Sequence, residues 1–382
     1  MAVQRTLPSD EARQLIGLAR ELARDELAPR AAAAEEAEEF PREVLRTIGQ
    51  AGLLGLPYDE TDGGGGQPYE VYLQVLEELA TAWATVALAV SVHTLTCYPV
   101  ATFGTDEQKA TMLPPMLGGD LIGAYCLSEA QSGSDAGSLQ ARAVRDGDSY
   151  VIDGAKAWVT HGTVADYYDV FCRTSDDPRR GVSLLVVPAA TDGIKPQPPE
   201  RKMGLRGSPT AQVLFEGVRV PQDRLVGSEG DGMRIALSAL DGGRLGIAAI
   251  ATGLAQAALD AAVDWAKQRR QFGRAIADFQ GVSFLLADMA TGVEAARATY
   301  LAAARRRDAG EPYGPQAAMA KLFATDTAMR VTTDAVQVLG GYGYTAEYPV
   351  ERYLREAKVM QIFEGTNQIQ RLVIGRALFA DR

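Results

Sequence analysis

A chain of 382 residues exceeds what one hydrophobic core usually holds, so two or three packed units are expected. Its 47% hydrophobic and 23% charged residues are those of a soluble globular protein, and the net charge of -11 excludes the basic groove that nucleic acid needs. Cys97, Cys126 and Cys172 are too few and too far apart for a disulfide framework or a zinc site, which fits a reducing compartment. The two histidines, His93 and His161, have no ligand-spaced partner, so neither a metal centre nor a Ser-His-Asp triad is expected. Met1 to Arg30 is charged and amphipathic and lacks the features of a signal peptide. The most apolar run, Trp83 to Val92, is too short for a bilayer. A cytoplasmic protein with neither a membrane nor a nucleic-acid partner is expected.

Taken in order, residues 9 to about 118 read as helices. Ser9 and Asp10 can cap the first, with Leu15, Leu18 and Leu22 on one side. Pro41 is placed to open the second at its first helical position, and Gly52 to end it. Asp62-Gly63-Gly64-Gly65-Gly66 reads as a flexible turn, since no strand precedes it and no Lys-Ser/Thr pair follows. Tyr72, Val75, Leu76, Leu79, Trp83 and Val86 then form one apolar helical stripe. Near residue 120 the period becomes that of strands. Tyr150-Val151-Ile152 and Lys156 to Thr160 read as a hairpin about an Asp153-Gly154 turn. Further strands are expected at Asp169 to Cys172, Val182 to Val187 and Gln212 to Val220. From Met233 helix returns: Ile247, Ile250 and Leu254, then Leu286, Met289 and Val293, then Met319, Leu322 and Phe323 signal three long helices of an antiparallel bundle. The short basic runs Lys267 to Arg270 and Arg305 to Arg307 read as solvated helix faces, with phosphate contacts the other reading. The expected divisions are 1–118 (helical), 119–230 (β) and 231–382 (helical).

The chemistry concentrates in Met360 to Arg371, where an apolar run ends in Glu364 and Gly365-Thr366-Asn367 precede a resumed helical pattern. Gly365 permits a tight turn, and Thr366 or Asn367 can cap the new helix beside the carboxylate. Two readings stand: a general base whose pKa is raised by desolvation, and a solvated loop Glu that happens to precede a helix.

Four segments resemble the acyl-CoA dehydrogenase family, and the resemblance runs nearly end to end. They are Tyr125 to Asp135, Trp158-Val159-Thr160, Arg269 to Gly273 with Phe279-Gln280, and Gln337 to Gly341 joined to Glu364-Gly365-Thr366 and Gln370-Arg371. The short-chain, butyryl-like bacterial branch is the part of the family it looks like. The implied fold is α+β: an N-terminal α-helical domain, a middle β-barrel-like domain and a C-terminal four-helix bundle.

The resemblance implies bound FAD and removal of two hydrogens from Cα and Cβ of an acyl-CoA, giving the trans-2-enoyl-CoA. Glu364 would take the pro-R α-proton while the β-hydride goes to flavin N5. The Glu364 N–H and a flavin ribityl hydroxyl would polarise the thioester carbonyl. By the same carry-over, Tyr125, Leu127, Ser128, Trp158 and Thr160 would meet the flavin, and Gly133 and Ser134 would lie against phosphate or thioester. Arg269, Gln271, Phe272, Gln337, Val338, Gly340 and Gly341 would reach the FAD of a neighbouring subunit, and Gln280 would also bind the cofactor. Thr366 and Gln368 would complete the adenosine and pyrophosphate side of the cofactor's site. Asp241 and Arg244, with Ser134, Glu364 and Gly365, would contact the acyl-CoA. A second branch of the family carries its base where this chain has Gly243. Electron-transfer flavoprotein and a homotetramer, a dimer of dimers, are implied partners.

Ala130 departs from the proline usual in the first motif, at a cost in rigidity rather than chemistry. His161 is expected on the surface of the hairpin, with a place near the flavin as the other reading. Alternative functions on the same fold are an oxidase or monooxygenase, or a dehydrogenase of carrier-protein thioesters. A non-catalytic flavoprotein scaffold is the third.

Overall fold

The computed structural model describes residues 3–379. The Ser9 hydroxyl accepts the Ala12 N–H at 3.0 Å and starts α1 (Asp10–Leu22). One widened turn, Ala23–Leu27, carries it into α2 (Ala28–Ala37). Pro41 precedes α3 (Arg42–Gln50) as its N-cap rather than its first residue: ψ of 56° keeps it outside the helix. This is the third helix and not the second, because the segment before it is already helical.

The expected single stripe from Tyr72 to Val86 is two helices, α4 (Tyr69–Ala82) and α5 (Ala84–Phe103). Trp83 between them is extended (φ −155°, ψ 101°) and buried. Its indole N–H donates to the buried Glu35 carboxylate at 2.8 Å, a bond that a continuous helix would forgo. Glu35 also accepts from the Thr85 hydroxyl and from the N–H groups of Arg206 (2.6 Å) and Gly207 (3.3 Å). The short α6 (Asp106–Leu117) begins with a reciprocal Thr105–Gln108 capping box.

Eight strands follow: β1 (Gly123–Cys126), β2 (Arg142–Asp146), β3 (Ser149–Thr160), β4 (Tyr167–Arg173), β5 (Val182–Pro188), β6 (Ile194–Pro196), β7 (Thr210–Pro221) and β8 (Leu225–Val226). They form one sheet in the order β6-β7-β3-β2-β4-β5-β8, with β1 parallel to β4. The expected hairpin about Asp153-Gly154 is absent. β3 runs straight through as one strand, and the turn lies at Gly147-Asp148, between the paired Asp146 and Ser149. Gly154 instead sits at a bulge (φ 149°), where a Cβ would lie 2.6 Å from the Ala141 side chain. A second register shift, between Lys156 and Val159, throws Trp158 outward with φ of 60°.

The third region holds α7 (Gly232–Gln268), the β9 (Arg270–Gln271) and β10 (Arg274–Ala275) ribbon, α8 (Gln280–Asp308), α9 (Gly314–Leu339), α10 (Val350–Met360) and α11 (Asn367–Leu378). α7, α8 and α9 pack on one another, α7 and α8 also pack on α4, and α7 packs on α5. Ile247, Ile250 and Leu254 are fully buried, as their spacing predicts. Met319 and Phe323 of α9 face outward, 38% and 42% exposed, while its inner face is Ala317, Ala320, Ala324 and Ala328. α5 and α7 are long and apolar enough to cross a membrane, unlike the shorter run weighed from sequence. In each, 78% of the apolar window lies inside the protein, as in core helices.

Candidate active site

The loop between α10 and α11 holds two successive left-handed residues, Glu364 (φ 51°) and Gly365 (φ 88°). That region costs a non-glycine residue roughly 1 kcal/mol or more, so the surroundings must impose it. They grip the loop by its carbonyls. The Lys321 ammonium of α9 donates to the Gly365 oxygen at 2.9 Å and to Asn367 Oδ1 at 2.8 Å. Gln370 Nε2 donates to the carbonyls of Glu364 (3.3 Å) and Gly365 (2.9 Å). Thr366 caps α11, accepting from Ile369 N–H. Asn367, the other candidate cap, is buried and bonds α9 through Thr325 and Asp326.

With the backbone held, the Glu364 side chain is left unengaged. Its Oε2 is buried without a hydrogen-bond partner, so the solvated-loop reading does not hold. Burial pushes the carboxyl up to about 7, and the nearby Lys321 and Arg244 charges restrain the rise. A base of that strength is about half ionised at neutral pH. Oε2 lies against Gly243 of α7, where a Cβ would come within 2.3 Å of it. Arg244 is buried beside it and ion-paired with Asp241, whose carboxyl burial also raises. A small cavity lined by Tyr58, Tyr69, Ser91, Thr94, Leu95, Tyr98, Ala239, Gly242, Gly243 and Arg307 adjoins this point.

The other candidates separate into two groups. Around the β1–β3 edge, the Leu127 carbonyl accepts from buried Lys156 (3.1 Å) and the Ser128 carbonyl from Ala157 N–H (2.9 Å). The Tyr125 hydroxyl donates to the Ala236 carbonyl at 3.3 Å, linking β1 to α7. Trp158 is 64% exposed, and the Ser128 and Thr160 hydroxyls have no hydrogen-bond partner among the described residues. Gly133 and Ser134 lie exposed in the loop after β1, with open space where a Gly133 side chain would be. Thr366 and Gln368 line a polar cleft of about 360 Å³ with Asp326, Lys358 and Arg371.

The second group lies far from Glu364. Leu339 ends α9 about 27 Å along the helix from Lys321, at 1.5 Å per residue. There Gln337, Val338, Gly340 and Gly341 meet the end of α7, where Arg269 lies over the Tyr342 ring at 5.6 Å. Gln271, Gln280 and Phe272 are beside them on the β9–β10 ribbon and at the start of α8, and Phe272 is 93% exposed at the ribbon's tip.

Several residues escaped the sequence. His161 is fully buried rather than a surface hairpin residue: Nδ1 meets the Gly123 carbonyl at 3.0 Å, and burial lowers its pKa to about 4. It lies there because β3 continues to Thr160 and turns back at His161, which takes φ of 64°. Lys321 carried one legible signal, a lone cation within Ala317-Ala318-Met319-Ala320 and Leu322. Asp169, a carboxylate in the middle of β4, is buried with both oxygens unpartnered. Among the described residues no His/Cys/Asp/Glu group could hold a metal ion.

An unpaired carboxylate with a raised pKa beside a cavity has the chemistry of a general base. Sequence comparison narrows that chemistry. Descriptions of the acyl-CoA dehydrogenase N-terminal, middle and C-terminal domains match residues 9–120, 124–218 and 230–379. The chain belongs to the acyl-CoA dehydrogenase family. It is 47% identical over 363 residues to an acyl-CoA dehydrogenase of Bacillus subtilis, covering 94% of this chain and 96% of that one. Butyryl-CoA dehydrogenase from Megasphaera elsdenii superposes with a TM-score of 0.96 at 39% identity, over 99% of this chain and 100% of the other. A chain from a structure described as the electron transferring flavoprotein of Acidaminococcus fermentans gives 0.95 at 42% identity, over 98% and 99%.

Proposed function

We propose that this protein oxidises a short acyl-CoA to its trans-2-enoyl thioester, with FAD as the bound cofactor and electron-transfer flavoprotein as the acceptor of the electrons. The observation that carries the reading is the buried, unpartnered Glu364 Oε2 with its carboxyl near 7. The M. elsdenii and A. fermentans neighbours support the chain length and the acceptor. A cytoplasmic homo-oligomer, a tetramer in this reading, completes the proposal.

The residues present suit FAD. Trp158 offers an open aromatic face, Ser128 and Thr160 offer unengaged hydroxyls, and Gly133 leaves the backbone approachable. Arg269, Gln271 and Gln280, at the far end of α9 from the Glu364 loop, would hold the FAD of a second copy. Bound FAD supplies the acceptor for the β-hydrogen and its electron pair.

The chain's own groups do the rest. Glu364 removes the α-proton, and its desolvated carboxylate is a stronger base than one in water. Its backbone N–H, on a loop fixed by Lys321 and Gln370, would donate to the thioester oxygen as negative charge develops there. Asp241 and Arg244 would position the thioester's carrier arm. Helices of the first and third regions would wall the acyl pocket, the β region would face the cofactor, and the third region would carry the base.

Anaerobic mixing of the yellow holoenzyme with a panel of acyl-CoAs tests this. Flavin bleaching by one or a few thioesters is expected, and its loss in Glu364→Gln with FAD still bound. A mutant that bleaches as fast as wild type removes Glu364 from its role. Bleaching only by carrier-bound acyl groups replaces coenzyme A with a carrier protein.

A further inference from the structure

Lys156 of β3 is fully buried at the β1–β3 edge. Its ammonium donates to Glu129 Oε1 at 2.8 Å and to the Leu127 carbonyl at 3.1 Å. Glu129, also buried, accepts three further bonds, from the N–H groups of Gln140 (2.7 Å) and Ala141 (2.9 Å) and from Gln131 Nε2 (2.7 Å). Burial opposes the charge on Glu129, but Lys156 and the backbone donors outweigh it, so the carboxyl lies below its usual value.

As a source of stability the pair is a poor choice. A buried ion pair roughly repays the cost of taking two charges out of water, and apolar side chains of the same volume do as well or better. What Lys156 does supply is position, on both sides of itself. On one side it takes the Leu127 carbonyl, while the next residue, Ala157, donates its N–H to the Ser128 carbonyl at 2.9 Å. Both carbonyls of Leu127-Ser128 are thereby turned to β3, and the Ser128 N–H and hydroxyl have no partner among the described residues. On the other side, Lys156 is the last paired residue before the register shift that throws Trp158 outward.

The Leu127 oxygen and the Ser128 N–H are two ends of one peptide group. A cation hydrogen-bonded to the oxygen draws electron density from the nitrogen and makes the N–H a stronger donor. The opposing charge of Glu129 is shared among four donors.

We propose that Lys156, held by Glu129, is a positioning residue for the flavin: it sets the Leu127-Ser128 peptide and the outward Trp158, and its charge, relayed through that peptide, favours the reduced cofactor. The assignment rests on FAD lying against Ser128 and Trp158. Reduction adds negative charge to the ring system, and a polarised N–H beside it stabilises that charge.

The test uses Lys156→Met, Glu129→Gln and the double variant, which removes both charges and strands neither. Urea titration reports folding, FAD titration of the apoproteins gives Kd, and anaerobic dye equilibration without substrate gives the midpoint potential of each holoenzyme. The double variant is expected to fold cooperatively and to bind FAD roughly 10- to 100-fold more weakly, the worth of a charged hydrogen bond. Lys156→Met should shift the reduced-to-oxidised ratio roughly tenfold toward oxidised, about 30 mV for two electrons. Glu129→Gln keeps the ammonium without its counter-charge and should move the potential the other way. Opposite shifts are a signature of charge that loosened structure does not produce. Wild-type affinity and potential in the folded double variant overturn the proposal and leave the pair as a structural tie. Weaker binding at unchanged potential in all three overturns it too, since loosening alone does that. If Lys156→Met and the double variant do not fold, the direction of the Glu129→Gln shift decides. Wild-type FAD affinity in Ser128→Gly/Trp158→Ala would place the cofactor elsewhere and overturn the cofactor reading itself. Where that variant binds weakly, an unmoved Lys156→Met overturns this proposal alone.

Discussion

Glu364→Gln should make the protein inactive and more stable, and the gain should depend on pH in a way that identifies the carboxyl. Burial raises this group from its usual 4.5 to about 7. The folded state therefore holds a proton that the unfolded chain has already released between those values, and stability falls as pH rises through that window. At about 1.4 kcal/mol per tenfold, ionising the buried acid costs about 3 kcal/mol by pH 8. The glutamine carries no charge at any pH and escapes this loss. Its stability relative to wild type should be lowest below pH 4.5, climb to pH 7, and stay level above. With an unfolding entropy of roughly 2 cal/mol/K per residue, about 3 kcal/mol corresponds to a Tm difference of about 4 °C. Differential scanning calorimetry of both holoenzymes from pH 5 to 9 measures it. Parallel Tm curves would refute the reasoning, since a solvated carboxylate has no reason to shift. The same ionisation sets turnover: reductive bleaching should accelerate up to pH 7 and then plateau.

Gly243→Ala should lower the rate of flavin bleaching at least tenfold with FAD retained, because its methyl would occupy the place of Glu364 Oε2, 2.3 Å away. Stopped-flow reduction by the best thioester checks it, and an unchanged rate would mean the carboxylate works from elsewhere. Asp169→Val should stabilise the protein by about 1–3 kcal/mol at pH 8, since it removes two buried acceptors without partners. Burial holds the Asp169 carboxyl well above its ordinary range, so this gain should shrink as pH falls toward 4, where the unfolded chain is protonated too. Urea titrations at pH 8 and 4.5 measure both.

Glu364 was legible because its neighbours are local: Gly365, Thr366 and the helix start all lie within a few residues. Its burial was not, since that comes from Gly243 and Lys321, far off in the chain. The helical and strand regions followed from periodicity, which records which face of an element is covered. Two local signals misled. Asp153-Gly154 has the chemistry of a turn, yet at that position the glycine serves close approach to Ala141. The stripe through Trp83 has the right spacing for one helix, and a distant carboxylate breaks it. Arg307 lies over the Tyr69 ring rather than on a solvated helix face, unreadable for the same reason: in sequence it is the last of three like charges, and only Tyr69 and Tyr313 distinguish it. Trp158 and Phe272 carried a signal through their motifs alone, since an exposed aromatic is silent in a hydrophobic pattern.

Glu35 sets how the molecule comes apart. One carboxylate fastens α2, the joint between α4 and α5, and the loop entering β7 through four hydrogen bonds. The first helical layer and the sheet thus share a rivet rather than a hinge. Pulling either away leaves a charge stranded in the interior, so heat finds no seam along which to open one and spare the other. The two regions should therefore lose their hydrogen-exchange protection together on heating, and Glu35→Ala should let one open before the other.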